Sequence, residues 1–198
     1  MESMVAGTML VARVGRTLAN ALTVEIKDGA GATVATARQK NSAGVLLGFK
    51  NGGKSHHEVT VGGVVYELDV AATTTISRDG KPVGRIVPHD GAARIEDAGG
   101  TVLALLRPHA GPKSDDPWDH PLLGPDGSPL GSLGLLRSHT SLNDVVLEIA
   151  LWDRAAPLKA PSAGARLNLT APVGAPLAAL LPAVCVDLCV LPRGYVSG

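Results

Sequence analysis

The chain has 198 residues, 45% of them hydrophobic and only 3% aromatic, with 18 Lys+Arg balanced by 18 Asp+Glu. That length holds one domain, or at most two small ones, with a sizeable core, and the apolar fraction excludes a wholly disordered polypeptide. Two cysteines exclude a disulfide-rich scaffold or a four-thiolate zinc site, and a formal charge of zero argues against nucleic acid as a partner.

The first stretch, Met1 to Arg13, carries an acid where a secretory signal needs base, and Gly7 and Arg13 break its apolar run. The longest apolar stretch, Pro176 to Leu191, contains Pro182 and Asp187 and falls short of the roughly 20 residues that cross a bilayer. These features predict a cytoplasmic chain, not transmembrane, with peripheral contact at a membrane left open. Charge is unevenly spread. Residues 1–60 hold seven Lys/Arg against four acids, and residues 115–153 hold seven acids against Arg137 alone. This asymmetry predicts either two solvated faces, or a basic face that meets anionic surfaces while the acidic end points away.

In chain order, short apolar runs alternate with turn residues. Strands are predicted at 22–26, 33–37, 45–49, 59–61 and 64–68, separated by Asp28-Gly29, Asn51-Gly52-Gly53 and Gly62-Gly63. The figure strand, turn, strand recurs around Asp79-Gly80, Gly99-Gly100 and Asp126-Gly127, and further runs lie at 145–151 and 165–169. The stretch from Pro108 to Pro121 reads as the longest irregular loop. About a dozen strands with uneven spacing predict a meander of hairpins, all-β and closed, because closure removes aggregation-prone edges.

The C-terminal segment breaks the pattern. Residues 176–191 are apolar on nearly every side, with Leu177, Leu180, Leu181, Val184, Leu188 and Leu191 on one helical face. A helix apolar all round must be enclosed, and this one is too short for lipid, so it is predicted inside the barrel. The alternation of Val184, Val186, Leu188 and Val190 leaves a final strand over 184–190 as the competing reading. Pro182 should kink a helix or mark its true start.

Three features resemble the tubby-like superfamily, in particular its LURP-one-related and phospholipid-scramblase-like branches. They are the Asp-Gly turns at 28–29, 79–80 and 126–127, the strand number near twelve, and the terminal run Leu177 to Asp187. The resemblance implies one barrel domain over residues 8–192 around a central helix at about 176–191, with short tails at 1–7 and 193–198. Scramblase-like relatives carry an acidic segment before that helix. Residues 165–174 hold no carboxylate here, so no calcium site is carried over. Tubby proteins bind phosphoinositide head groups through clustered basic residues, and Arg38, Lys40, Lys50 and Lys54 are the candidates to imitate that cluster.

Other side chains offer chemistry that competes with structural roles. Gly48 to Ser55 has the spacing of a phosphate-binding loop, which would need a following helix where a hairpin is predicted. Asp115, Asp116, Asp119 and His120 are the candidate metal ligands of a divalent-ion site. His56 and His57 would face opposite sides of a strand. Cys185 and Cys189 read as small core fillers, and Asp187 as a buried polar group tying helix to wall. No catalytic residue, nucleophile motif or cofactor is assigned. The expected function is a non-enzymatic intracellular binding module for an anionic lipid head group, a membrane surface or a protein partner. The alternatives are a metal-dependent hydrolase using the Asp115–His120 loop, or a purely structural interaction subunit.

Overall fold

A computed structural model describes residues 3–16, 22–40, 55–108, 118–136 and 164–190. Its strands are β1 (Met9–Arg16), β2 (Leu22–Asp28), β3 (Thr33–Gln39), β4 (Ser55–Val61), β5 (Val64–Val70) and β6 (Thr74–Arg78). They continue as β7 (Lys81–His89), β8 (Ala92–Asp97), β9 (Val102–Leu106), β10 (Trp118–Leu123), β11 (Pro129–Leu136) and β12 (Gly164–Leu169), followed by the helix α1 (Ala175–Val190).

Turn chemistry sets the hairpins. Asp79 and Gly80 both take positive φ, 51° and 71°, the conformation of a primed two-residue turn whose twist matches the strands it joins. Three other turns share a second design. Gly31, Gly100 and Gly127 donate to the carbonyls of Asp28, Asp97 and Gly124 at 3.0–3.1 Å, closing three-residue loops. Each is accompanied by a one-residue register shift, at Ile26/Lys27, Ile95/Glu96 and Leu122/Leu123. Such bulges raise local twist and so help the sheet curl.

Every neighbouring pair is antiparallel, and β1 pairs with β12 from Met9↔Asn168 to Arg13↔Gly164, which closes a twelve-stranded barrel. Alternation then puts Val24, Ile26, Ala35, Ala37, Val59 and Leu68 inside, with polar neighbours between them. The lumen is filled by α1. It touches β1, β4, β5, β6, β9, β11 and β12, and from Leu177 to Leu188 all its residues but Ala179 are buried. That enclosure is the physical reason the segment is apolar on all sides, each fully buried Leu contributing about 2 kcal/mol. Small wall residues admit the helix: Ala12, Ala93, Ala104 and Ala165 are fully buried, and Gly84 faces Leu180 so closely that an added Cβ would lie 2.6 Å from it.

The helix runs unbroken through Pro182, so 184–190 is helical and Pro182 does not mark its start. A second correction concerns 108–121: β10 begins at Trp118, held by six paired positions on β11. The predicted strands at 45–49 and 145–151, and the tail 193–198, lie outside the described residues. At the other end, Met4 bridges to Val173.

Topology gives the barrel two unlike rims. At one, here the turn rim, tight turns join β2–β3, β4–β5, β6–β7, β8–β9 and β10–β11, and residues 170–174 lead into α1. The opposite connection rim receives both ends of every long connection: 40–54, 107–117 and 137–163. The basic segment near residue 50 and the acidic segments therefore join strand ends at the same rim. Apart from Asp126, which lies at the turn rim, the acidic side chains of 115–153 fall outside the described residues, as do Lys50 and Lys54, so the expectation that the acidic end points away from the basic one falls outside them too.

Candidate functional site

Arg38 is exposed on β3, opposite Glu58 of β4, and Lys40 follows just past the strand end. Glu58 in turn lies directly opposite Glu67 of β5, a like-charge pairing that opposes the sheet unless a cation bridges it. Lys40 is that cation, its Nζ 2.9 Å from Glu58 Oε2 and 3.3 Å from Glu67 Oε1. Hydrogen bonds to Glu58 and then Glu67 raise the Lys40 pKa, and Lys40 lowers that of Glu58. Of the four basic candidates, then, Arg38 presents its charge outward and Lys40 is engaged by two carboxylates. Lys50 and Lys54 lie outside the described residues.

Next on β4, His56 pairs with Asp69 on the outer wall, while His57 points inward and is 1% exposed. His57 Nε2 lies 2.9 Å from Ser55 Oγ, and its Nδ1 has no hydrogen-bond partner among the described residues. Burial, with His56 nearby, lowers its pKa to about 4, so it is neutral at physiological pH. The two imidazoles thus stand on opposite faces, as strand geometry requires. The phosphate-loop reading of Gly48 to Ser55 is overturned. Ser55 opens a strand, and the β4–β5 hairpin stands where a phosphate-binding helix would have to begin.

The candidate metal loop is likewise not assembled in what is described. Asp115 and Asp116 lie outside the described residues, and Asp119 pairs with Gly134 in β10. His120 is fully buried, its Nδ1 3.0 Å from the Arg107 carbonyl. Among the described residues no three His, Cys, Asp or Glu side chains gather as a metal site.

Asp187, 1% exposed in α1, accepts the Thr74 hydroxyl of β6 at 2.5 Å. Burial pushes the thiol of Cys185 far up and that of Cys189 to about 12, so neither is a thiolate near neutral pH. Sequence reasoning missed Glu96. It is 2% exposed on β8, where Arg85 Nε reaches one carboxylate oxygen at 2.5 Å and Arg94 the other. Burial raises its pKa, but the hydrogen bonds of both arginines outweigh it and the net shift is downward. The spacing Arg94-x-Glu96 puts two partners on one strand face and was a legible signal; the third, Arg85, depends on register.

At the turn rim a cleft of about 420 Å³ opens between Leu103, Leu130, Val173 and Leu177, with Asp126 and Ser128 at its edge. Asp126 is ionised, because hydrogen bonds from Ser128 lower its pKa.

These features define a closed antiparallel barrel plugged by its own C-terminal helix, its polar residues mostly paired within the wall. No helix of the described residues is long and apolar enough to cross a membrane. No family model matches the chain, and neither does any curated protein. Among solved structures, an X-ray structure of a protein from Arabidopsis thaliana, AT5G01750, is similar over 93% of this chain and 93% of its own. The TM-score is 0.47 and the identity 10%.

Proposed function

We propose that this chain is a non-enzymatic intracellular binding module that takes an anionic lipid head group or membrane surface on the outside of a tubby-like barrel. The observation that carries the reading is the filled lumen: α1 occupies the interior with apolar side chains, so a ligand is met at the rims or outer wall. The connection rim suits this best, because long connections on a rigid scaffold are where recognition concentrates. Arg38 stands exposed beside that rim, and Lys50 and Lys54 belong to the connection that leaves the same strand. Twelve strands, Asp-Gly turns and a closing helix containing Asp187 are the features that resemble the LURP-one-related and scramblase-like branches. The chemically capable groups have structural uses that favour a non-catalytic reading: His120 bonds a carbonyl, Asp187 a hydroxyl, and both thiols are protonated. Co-sedimentation with phosphatidylcholine vesicles containing phosphatidylserine at low salt tests the reading, since screening is then weakest. Retention with the vesicles is expected; protein left wholly in the supernatant overturns it.

A second reading, an interaction subunit with a protein partner, is favoured by the turn rim. Val5, Met9, Val64 and Val65, the large hydrophobic side chains most exposed among the described residues, all lie there. Val64 and Val65 are adjacent at the start of β5, and neighbouring exposed apolar side chains mark interaction sites. If the partner is a second copy, light-scattering mass rises with concentration and the Val64→Ser/Val65→Ser variant stays monomeric.

A further inference from the structure

The barrel wall is short of one hydrogen bond at Pro121. Among the described residues, β9 and β10 pair at two positions, Leu106↔Leu122 and Leu105↔Leu123, where every other neighbouring pair of strands has three or more. One step further, the Arg107 amide donates to the Pro121 carbonyl at 2.9 Å. In an antiparallel ladder the two residues of such a pair exchange both bonds, so the nitrogen of residue 121 faces the Arg107 carbonyl. Proline has no proton to give there, which is why it is normally confined to edge strands and bulges. The Arg107 carbonyl is instead met by the imidazole of the preceding residue, His120 Nδ1, at 3.0 Å. His120 is fully buried and Arg107 half-buried, so water has limited access to this contact. An acceptor with no proton of its own fixes the tautomer: Nδ1 carries the hydrogen.

On the other side of the two paired positions the strands part again. Leu103 of β9, together with Gly124 and Pro125 just after β10, lines the 420 Å³ cleft, which reaches Leu177 of α1. The seam is therefore bounded by an apolar cleft at the turn rim and by a proline toward the connection rim. Two independent features weaken the same line in an otherwise continuous wall.

We propose that His120 is a latch, its imidazole standing in for the hydrogen bond Pro121 cannot make, and that β9–β10 is the seam along which the barrel opens to uncover α1. Opening here parts two registered positions and the Arg107–Pro121 bond, as few as any seam among the described residues offers. Local openings with few bonds to break lie below global unfolding in free energy. The device also explains a hidden cost of placing proline inside a closed sheet: the donor is supplied from the neighbouring side chain.

Native-state amide exchange followed by NMR tests the latch on the full chain. In the unaltered protein the amides of Arg107, Leu105 and Leu123 exchange faster than those of Val59 and Tyr66 in the β4–β5 pair. His120→Phe, which keeps the ring and removes the donor, speeds exchange at Arg107 by tenfold or more and leaves Val59 and Tyr66 unchanged. Pro121→Ala restores a backbone donor, so His120→Phe/Pro121→Ala returns Arg107 to its original rate. That rescue separates hydrogen bonding from mere packing of the ring. Should His120→Phe not fold, Pro121→Ala alone decides the matter: it slows exchange at Arg107 relative to the unaltered chain. The proposal is overturned if the double variant exchanges like His120→Phe, if Pro121→Ala leaves Arg107 unchanged, or if the seam amides are as protected as those of β4 and β5.

Discussion

Thr74 and Asp187, 113 residues apart in sequence, meet at 2.5 Å between the barrel wall and the helix it encloses. The Asp187 side chain is 1% exposed, and removing a hydrogen-bond donor from a buried polar group is costly. Thr74→Val is expected to lower unfolding free energy by about 1–3 kcal/mol. Thr74→Val/Asp187→Leu, which removes both polar groups, is expected to lose less than the two single changes summed. Urea unfolding of the four proteins checks both statements.

Gly84 sets how near the helix can come to the wall. A Cβ there would stand 2.6 Å from Leu180 Cδ1 and 3.0 Å from the Glu96 carbonyl oxygen, so the buried Leu180 side chain, the helix that carries it or the β7–β8 ladder must give way. Overpacking of this kind costs about 1–3 kcal/mol, and Gly84→Ala is expected to fall in that range in thermal or urea unfolding. A neutral Gly84→Ala would mean that Leu180 is not held against β7.

His57 predicts an acid-sensitive stability. Its folded-state pKa is lowered to about 4, while the unfolded chain takes up the proton near 6.5. Between those values the unfolded state binds more protons, so stability rises with pH and is lost as pH falls from 6.5 toward 4. The whole window corresponds to about 3 kcal/mol from this one group. The carboxylates of Glu96, Asp97 and Asp126, whose pKa values are lowered, lose their contribution only at more acidic pH, below the ordinary carboxylate value. His57→Leu should flatten the profile in the histidine window and leave the more acidic limb in place. Urea midpoints taken across pH distinguish the two limbs.

The ion pairs on the outer wall rank the basic residues for membrane binding. Lys40 is held by Glu58 and Glu67, whereas Arg38 projects its charge outward. A cation at an anionic bilayer contributes about 1 kcal/mol, so Arg38→Ala is expected to weaken vesicle retention about fivefold. Lys40→Ala, which also frees two carboxylates, weakens it through added negative charge only, and Lys40→Ala/Glu58→Gln/Glu67→Gln, which removes one cation and two acids, should bind at least as well as the unaltered chain. Equal losses in Arg38→Ala and in the triple variant would contradict this ranking.

How legible the fold was depended on how local its causes are. Gly62-Gly63, Asp79-Gly80 and the Asp28 and Asp126 turns announce their hairpins because the required backbone conformation is written into adjacent residues. The helix is legible for a similar reason, its apolar residues covering every face. β10 was not: Pro117 and Pro121 read as loop, and the segment becomes a strand through its pairing with β11. The site candidates failed where partners are distant. Nothing near Lys40 in sequence announces Glu58 and Glu67, and nothing near Asp187 announces Thr74. Those pairings depend on strand register and barrel closure, which local pattern does not encode.

The enclosed helix can be tested by its thiols, because the chain has only two cysteines and both lie on α1. With Cys189→Ala removing the half-buried one, the remaining Cys185 is fully buried with its pKa pushed far up. Its reaction with a water-soluble disulfide reagent is predicted to proceed no faster than the native barrel opens, and to become immediate in denaturant. Rapid stoichiometric labelling of Cys185 in the folded protein, at the rate seen for the unfolded chain, would contradict a helix sealed within the wall.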